Sequence, residues 1–212
     1  MDSNRSKIRA IVFDFGGVLL DWNPRHLYRS LFRDPQAMEN FLTEIGFTEW
    51  NLQFDRGYPI AFGIVEHSEK FPHHRDLISA YNDRWPECIA GPIQGTVDLL
   101  PMLKEAGYAL YGLSNWSAET FYRVRDQYPF FDLLDEIVLS GEVKLIKPDP
   151  QIFQLLLEKT GRKAEECVFI DDSAANVEAA KQLGFSAIRF ETPEQLERAL
   201  SELIELTPNS AK

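Results

Sequence analysis

Apolar positions along the chain follow two rhythms. Residues 8–13, Ile-Arg-Ala-Ile-Val-Phe, form a short, nearly continuous apolar run that stops at Asp14-Phe15-Gly16-Gly17. Runs of this kind, rich in Ile and Val, belong to parallel strands buried on both faces. Four more stretches of strand character lie in the second half, at 108–114, 135–140, 167–171 and 186–190. Between them the apolar spacing turns helical and predicts helices over 94–106, 117–127, 150–160, 174–183 and 193–205. The punctuation agrees: Gly107, Gly161 and Gly184 stand where C-caps are expected, and Thr192-Pro193-Glu194 reads as a helix start. Strands alternating with helices predict an α/β fold whose parallel sheet is covered on both faces.

The alternation is interrupted once, from about Asp21 to Ala90. Apolar residues there repeat with a helical period: Leu27, Leu31 and Phe32; Met38, Phe41, Leu42 and Ile45; Ile60, Ile64 and Val65; Leu77, Ile78 and Tyr81. This predicts a small helical module inserted after the first strand. The expected organisation is therefore a core made of residues 1–20 and 91–212, with a helical domain over 21–90. No internal repeat or low-complexity segment is visible, and the tail from Thr207 to Lys212 is expected to fray.

Composition narrows the function. The 212 residues are 44% hydrophobic and 26% charged, ordinary values for a globular protein, and long enough to bury a sizeable core. The net charge of −11 repels nucleic acid and anionic lipid, so neither is expected as a partner and a small molecule is. An anionic substrate then needs a local attractor, such as a bound cation or a lysine. Cys88 and Cys167 make no metal-binding spacing, and the polar opening MDSNRSKIRA holds no apolar signal core, so reduced thiols and a cytoplasmic location are expected. His26, His67, His73 and His74 form no HExxH pattern, and the last two read as a solvated turn beside Pro72.

Chemistry-bearing residues collect at strand ends. Asp14 follows the first strand, Ser114 and Asn115 the second, Lys147 the third, and Asp171-Asp172 the fourth. Open parallel sheets bind ligands at this carboxyl edge. Carboxylates from two strands suit Mg²⁺, which takes oxygen ligands. A serine hydroxyl and a lysine suit phosphoryl oxygens, and an aspartate can serve as nucleophile through an aspartyl-phosphate.

The blocks IVFDFGGVLLDW, YGLSNW, KPDP and VFIDDSAANVEAAKQLG resemble, in order, the four motifs of the haloacid dehalogenase (HAD) superfamily. The resemblance spans residues 8–190 and implies a Rossmann-like three-layer core, with the insert at 21–90 as a helical cap. It implies that Asp14 is the nucleophile and a metal ligand, joined by the backbone carbonyl of Gly16 and by Asp172, with Asp171 beside them, either as a ligand or orienting a metal-bound water. It implies that Ser114, Asn115 and Lys147 hold the phosphate, and that Asp21 to Asn23, Trp50, Asn51, Phe54, Asp55 and Arg56 face the substrate. Bland alternatives stand beside these: Trp50 and Phe54 as packing on one helical face, Asp55 and Arg56 as a surface ion pair.

One position departs from the pattern. Phosphatases of the superfamily carry a second aspartate two residues after the nucleophile, to protonate the leaving oxygen and activate water. Here that position is Gly16, and such an acid contributes about 100- to 10,000-fold in rate. Three readings follow. One is a Mg²⁺-dependent phosphomonoester hydrolase acting on a small phosphorylated metabolite such as a sugar phosphate; the Asp-x-Gly form resembles the bacterial glucose-1-phosphate phosphatases of the superfamily, and Asp21 is a candidate substitute acid. Another is a 2-haloacid dehalogenase, whose halide leaves without a proton and which needs no metal. The third is a non-catalytic relative that binds a phosphorylated ligand. The adjacent Asp171 and Asp172 favour the first, because two carboxylates beside Asp14 repel one another without a cation.

Overall fold

A computed structural model describes residues 7–204. Its strands are β1 (Ala10–Phe13), β2 (Leu20–Trp22), β3 (Ile89–Pro92), β4 (Ala109–Ser114), β5 (Glu136–Leu139), β6 (Cys167–Asp171) and β7 (Ser186–Arg189). Five of them form one sheet in the order β5-β4-β1-β6-β7, every pair parallel. All five predicted strands are in it. The chain fills one side of β1 with β4 and β5, then crosses to the other side for β6 and β7, so β1 marks the point where strand order reverses.

Successive residues of a strand point to opposite faces, and the core divides accordingly. Ile11 and Phe13 of β1 join one apolar cluster with Leu110, Val168 and Ile170, while Ala10 and Val12 join the other with Tyr111, Leu113 and Phe169. Helices cover both faces, giving three layers. In chain order the helices are α1 (Pro24–Tyr28), α2 (Pro35–Glu44), α3 (Phe47–Asp55), α4 (Ile60–Lys70), α5 (Arg75–Asp83), α6 (Gln94–Val97), α7 (Leu99–Glu105), α8 (Ala118–Val124), α9 (Ser140–Val143), α10 (Pro150–Thr160), α11 (Ala174–Gln182) and α12 (Pro193–Leu203). α10 and α11 pack Ile152, Phe153, Leu156 and Ala180 on one face; α7 and α12 pack Leu100, Leu103, Leu196 and Leu200 on the other. Their ends follow local chemistry. Asp149 caps α10 by accepting from Gln151 N, Pro150 opens it, and Gly161 closes it at φ 64°. Among the described residues no helix is long and apolar enough to cross a membrane.

Residues 24–83 supply α1 to α5, as the helical period predicts, with two differences. The stretch 47–55 is an additional helix, and the stripe on α4 is wider than the face it buries: Ile60 is buried, but Val65 and Phe62 are exposed. β2 and β3, which no periodicity announces, pair antiparallel as a two-stranded ribbon where the chain leaves the sheet for the helices and returns. Single helices expected at 94–106 and 117–127 each divide, into α6 and α7 and into α8 followed by a 3-10 turn. The tail from Thr207 lies outside the described residues.

Candidate active site

Strand register builds the site. Phe13 lies opposite Gly112 on one side and Ile170 on the other. Asp14, one residue on, therefore reaches the same sheet edge as Ser114 and Asp171. All three are buried: Asp14 is 8% exposed, Ser114 2% and Asp171 0%. Buried carboxylates are costly unless paired, and here the pairing is dense. Asp14 Oδ1 accepts from its neighbour Phe15 N at 2.7 Å and from Ser114 Oγ at 2.8 Å, and Lys147 Nζ lies 3.0 Å away. Asp171 accepts from Lys147 Nζ at 2.7 Å, from Ser173 N at 2.8 Å, and on both oxygens from Asn176 Nδ2 at 3.0 Å.

Lys147 is the hub. Its Nζ also donates to Leu113 O at 2.8 Å, so its three protons are directed at Leu113, Asp171 and Asp14. Burial opposes its charge, but Asp14 and Asp171 outweigh that and hold its pKa above the ordinary lysine value. Burial, reinforced by the charge of Asp171, pushes the Asp14 carboxyl up against the pull of Lys147 and Ser114. Burial and Asp171 likewise raise Asp172. Its carboxylate leans over the loop after β1: a Cβ on Gly17, at φ 76°, would lie 2.7 Å from Asp172 Oδ2, so only glycine suits this close, left-handed turn. Oxygen atoms of Asp14, Asp171 and Asp172 come within 4.8 Å of one another, a set of hard donors suited to Mg²⁺.

Beside this cluster opens a cleft with about 460 Å³ of empty space, part of it open to solvent. The strand edge contributes Gly16, Ser114, Asn115, Trp116, Ser117 and Thr120 to its lining. Trp22 enters from the ribbon, Asn51, Phe54 and Asp55 from α3, and Ile60, Tyr81 and Trp85 from the segments that follow. Most of this wall is apolar or aromatic. Its polar groups pair with one another: Tyr81 OH donates to Asn51 Oδ1, Trp85 Nε1 to Tyr81 OH at 3.1 Å, and Trp116 Nε1 to Thr120 Oγ1 at 2.9 Å. The Trp22 indole N–H is the exception, buried with no partner among the described residues.

The structure thus brings together Asp14, Ser114, Lys147, Asp171 and Asp172, and gives several other expected residues different work. Asn115 clamps the lysine loop from the cleft lining: its Nδ2 donates to Lys147 O at 3.0 Å and its Oδ1 accepts from Lys147 N at 2.8 Å. Trp50 is packing, 2% exposed and stacked on His67 at 4.7 Å. Asn23 caps α1, and Asp21 is exposed and bonded to His26 at 3.0 Å, so it is no substitute acid at the cleft. Arg56 is exposed, and no ion pair joins it to Asp55 among the described residues; neighbouring residues on a helix end point apart. His73 and His74 share Glu44, at 2.8 and 3.0 Å, on the helical segment, with Glu44 and His73 exposed and His74 half-buried. Cys88 and Cys167 are buried and unpaired. Tyr81, Trp85, Ser117 and Thr120 also line the cleft, and the i, i+4 spacing of Tyr81 and Trp85 is the one sequence signal that places any of them together.

Known proteins resemble this chain in sequence and in fold. The profile of haloacid dehalogenase-like hydrolases matches residues 8–184. The sesquiterpene phosphatase astK of Aspergillus oryzae is 30% identical over 83% of this chain and 86% of its own length. (S)-2-haloacid dehalogenase 1 of a Pseudomonas species is 28% identical over 86% of this chain and 84% of its own. A HAD family enzyme from Bacteroides thetaiotaomicron, solved as a magnesium complex, superposes with a TM-score of 0.71 at 26% identity, over 92% of this chain and 98% of that one. Both phosphatases and dehalogenases thus stand among its relatives, and the chain belongs to the haloacid dehalogenase-like hydrolase family.

Proposed function

We propose that this hydrolase is a Mg²⁺-assisted phosphomonoesterase acting through an aspartyl-phosphate on Asp14. One observation carries the reading: three clustered carboxylates, Asp14, Asp171 and Asp172, face a single ammonium, that of Lys147. Fully ionised, they leave two uncompensated negative charges, the charge of one divalent cation. Asp14, the Gly16 carbonyl and Asp172 are the groups we assign to holding it. Asp171, bonded to Lys147, Ser173 and Asn176, is assigned to positioning them. When bound, the cation draws charge from a phosphoryl group and reduces its repulsion of the nucleophile.

The protein's own residues do the rest. The hydrogen bonds to Asp14 from Phe15 and Ser114, and its contact with Lys147, all fall on Oδ1. Oδ2 is then the atom to attack phosphorus, with its carboxylate held rigidly. Ser114 and Lys147 sit where they stabilise charge passing between Asp14 and the phosphoryl oxygens. Water then attacks phosphorus of the aspartyl-phosphate, releasing phosphate and restoring Asp14.

We assign residues 1–20 and 91–212 to the catalytic core and 21–90 to a cap that closes the cleft. Its aromatic wall favours a substrate whose organic part is apolar, and the name of the Aspergillus relative runs the same way. Aromatic rings also stack on sugar faces, so sugar phosphates belong in the same screen. Unpaired Cys88 and Cys167 support work in the cytoplasm. Gly16 favours a second reading, 2-haloacid dehalogenation, in which no leaving oxygen needs a proton. Turnover of prenyl, aryl and sugar phosphates and of 2-chloropropionate, each with Mg²⁺ or EDTA, separates the two. The phosphatase reading expects phosphate release that EDTA stops; chloride release indifferent to EDTA overturns it.

A further inference from the structure

Gly16 leaves the strand edge with no proton for a departing alkoxide. Packing does not impose the glycine: a Cβ there would meet only Trp22 Cβ, at 3.9 Å. A carboxyl lines the cleft from the helical segment instead. Asp55 is the last residue of α3, and the turn it begins is pressed onto the core. Ser140 Oγ donates to Asp55 O at 2.5 Å, and a Cβ on Gly57, at φ 85°, would come within 2.6 Å of Gly141 O. Glycine at 57 thus lets the turn lie close enough for the Asp55 side chain to enter the cleft. There its Oδ2 accepts from Asn51 Nδ2 at 3.1 Å, and the Ser117 backbone N–H donates to its carboxyl.

We propose that Asp55 supplies the general acid and base that position 16 lacks, delivered from the helical segment instead of the first strand. This rests on the phosphatase reading. As Asp14 attacks phosphorus, the bond to the leaving oxygen breaks and that oxygen takes the Asp55 proton. The resulting Asp55 carboxylate then accepts a proton from the water that attacks the aspartyl-phosphate. The P–O bond to Asp14 breaks, phosphate leaves, and both groups return to their starting forms.

The surroundings suit the role. The charged and titratable groups facing Asp55 are Asp14 and Lys147 from the strand edge and Tyr81 from α5. Burial, and then Asp14, raise its carboxyl to about 8 against the pull of the Ser117 N–H and Lys147, so it carries a proton at neutral pH. Asn51, Ser117 and Ser140 fix its position, as an acid that must meet one oxygen requires.

The test compares alkyl phosphates, whose alkoxide needs a proton, with p-nitrophenyl phosphate, whose phenolate departs without one. Asp55→Asn keeps the shape and should slow alkyl esters about 100-fold or more, and p-nitrophenyl phosphate far less. Adding Gly16→Asp to that variant should restore at least about 10-fold on alkyl esters. Equal losses on both substrates with no rescue would make Asp55 a structural tie only, and overturn the proposal. Should Asp55→Asn fail to fold, the wild-type chain decides alone: a rate nearly independent of leaving-group basicity supports the acid, and a steep dependence overturns it. A wild-type chain that turns over no phosphate ester overturns the phosphatase reading and this proposal together.

Discussion

The strand edge and the cleft wall sit side by side and are built on opposite principles. At the edge, four polar side chains, Asp14, Ser114, Lys147 and Asp171, are buried and bonded to one another, with the exposed Asp172 beside them. On the wall, aromatic residues from the ribbon and the helical segment line the cleft, with one carboxyl, Asp55, among them. Satisfied buried networks are rigid and intolerant of single deletions. An apolar wall contributes area, and loses it gradually when trimmed. The edge is thus suited to chemistry common to a family, and the wall to choosing which molecule receives it.

Deletions at the two regions should therefore differ in kind as well as size. Asp14→Asn should lower turnover by on the order of 10,000-fold or more while thermal melting shows a folded protein. Residual activity within 10-fold of wild type would mean that another group attacks. Lys147→Met should remove about 3–5 kcal/mol of stability in urea titrations without metal, because Asp14 and Asp171 stay buried without their partner. Mg²⁺ should recover part of that loss; an unchanged stability would show that the carboxylates do not depend on the lysine.

Asp55 gives a pH signature from the wall. Its folded-state pKa of about 8 lies above the ordinary 3.8. Its contribution to stability is thus complete below about pH 4 and disappears as pH climbs through 8. In metal-free protein, Asp55→Asn should flatten the decline between those limits and change little at the acid end; an unaltered slope would show that the carboxyl is well solvated. The smallest effect belongs to Trp22→Phe. Losing the unpartnered indole N–H should raise KM about 3- to 10-fold with kcat and melting temperature unchanged. A fall in kcat instead would move Trp22 into the chemistry.

What the sequence disclosed follows the same division. Strand interiors such as Ile11 to Phe13 are legible because burial on both faces demands a continuous apolar run, and register then brings Asp14, Ser114 and Asp171 to one edge. The β2–β3 ribbon is too short, and too broken by Gly91 and Pro92, to show a period. The clamp of Asn115 on Lys147 joins residues 32 positions apart through backbone atoms, which side-chain identity does not reveal. For Asp55 the sequence leaves two readings open, a place facing the substrate and half of a surface ion pair with the adjoining Arg56. The docking of its turn on Ser140 and Gly141 decides for the cleft.

The most direct measurement follows heavy oxygen from labelled water during turnover, with mass spectrometry of both the product and the peptide carrying Asp14. Attack of water on phosphorus places the label in released phosphate and leaves the Asp14 carboxylate unlabelled, the predicted result with a phosphate ester and Mg²⁺. Label incorporated into Asp14 itself would mean that water opens a carbon ester on that residue, as displacement of halide requires, and would contradict the phosphatase account.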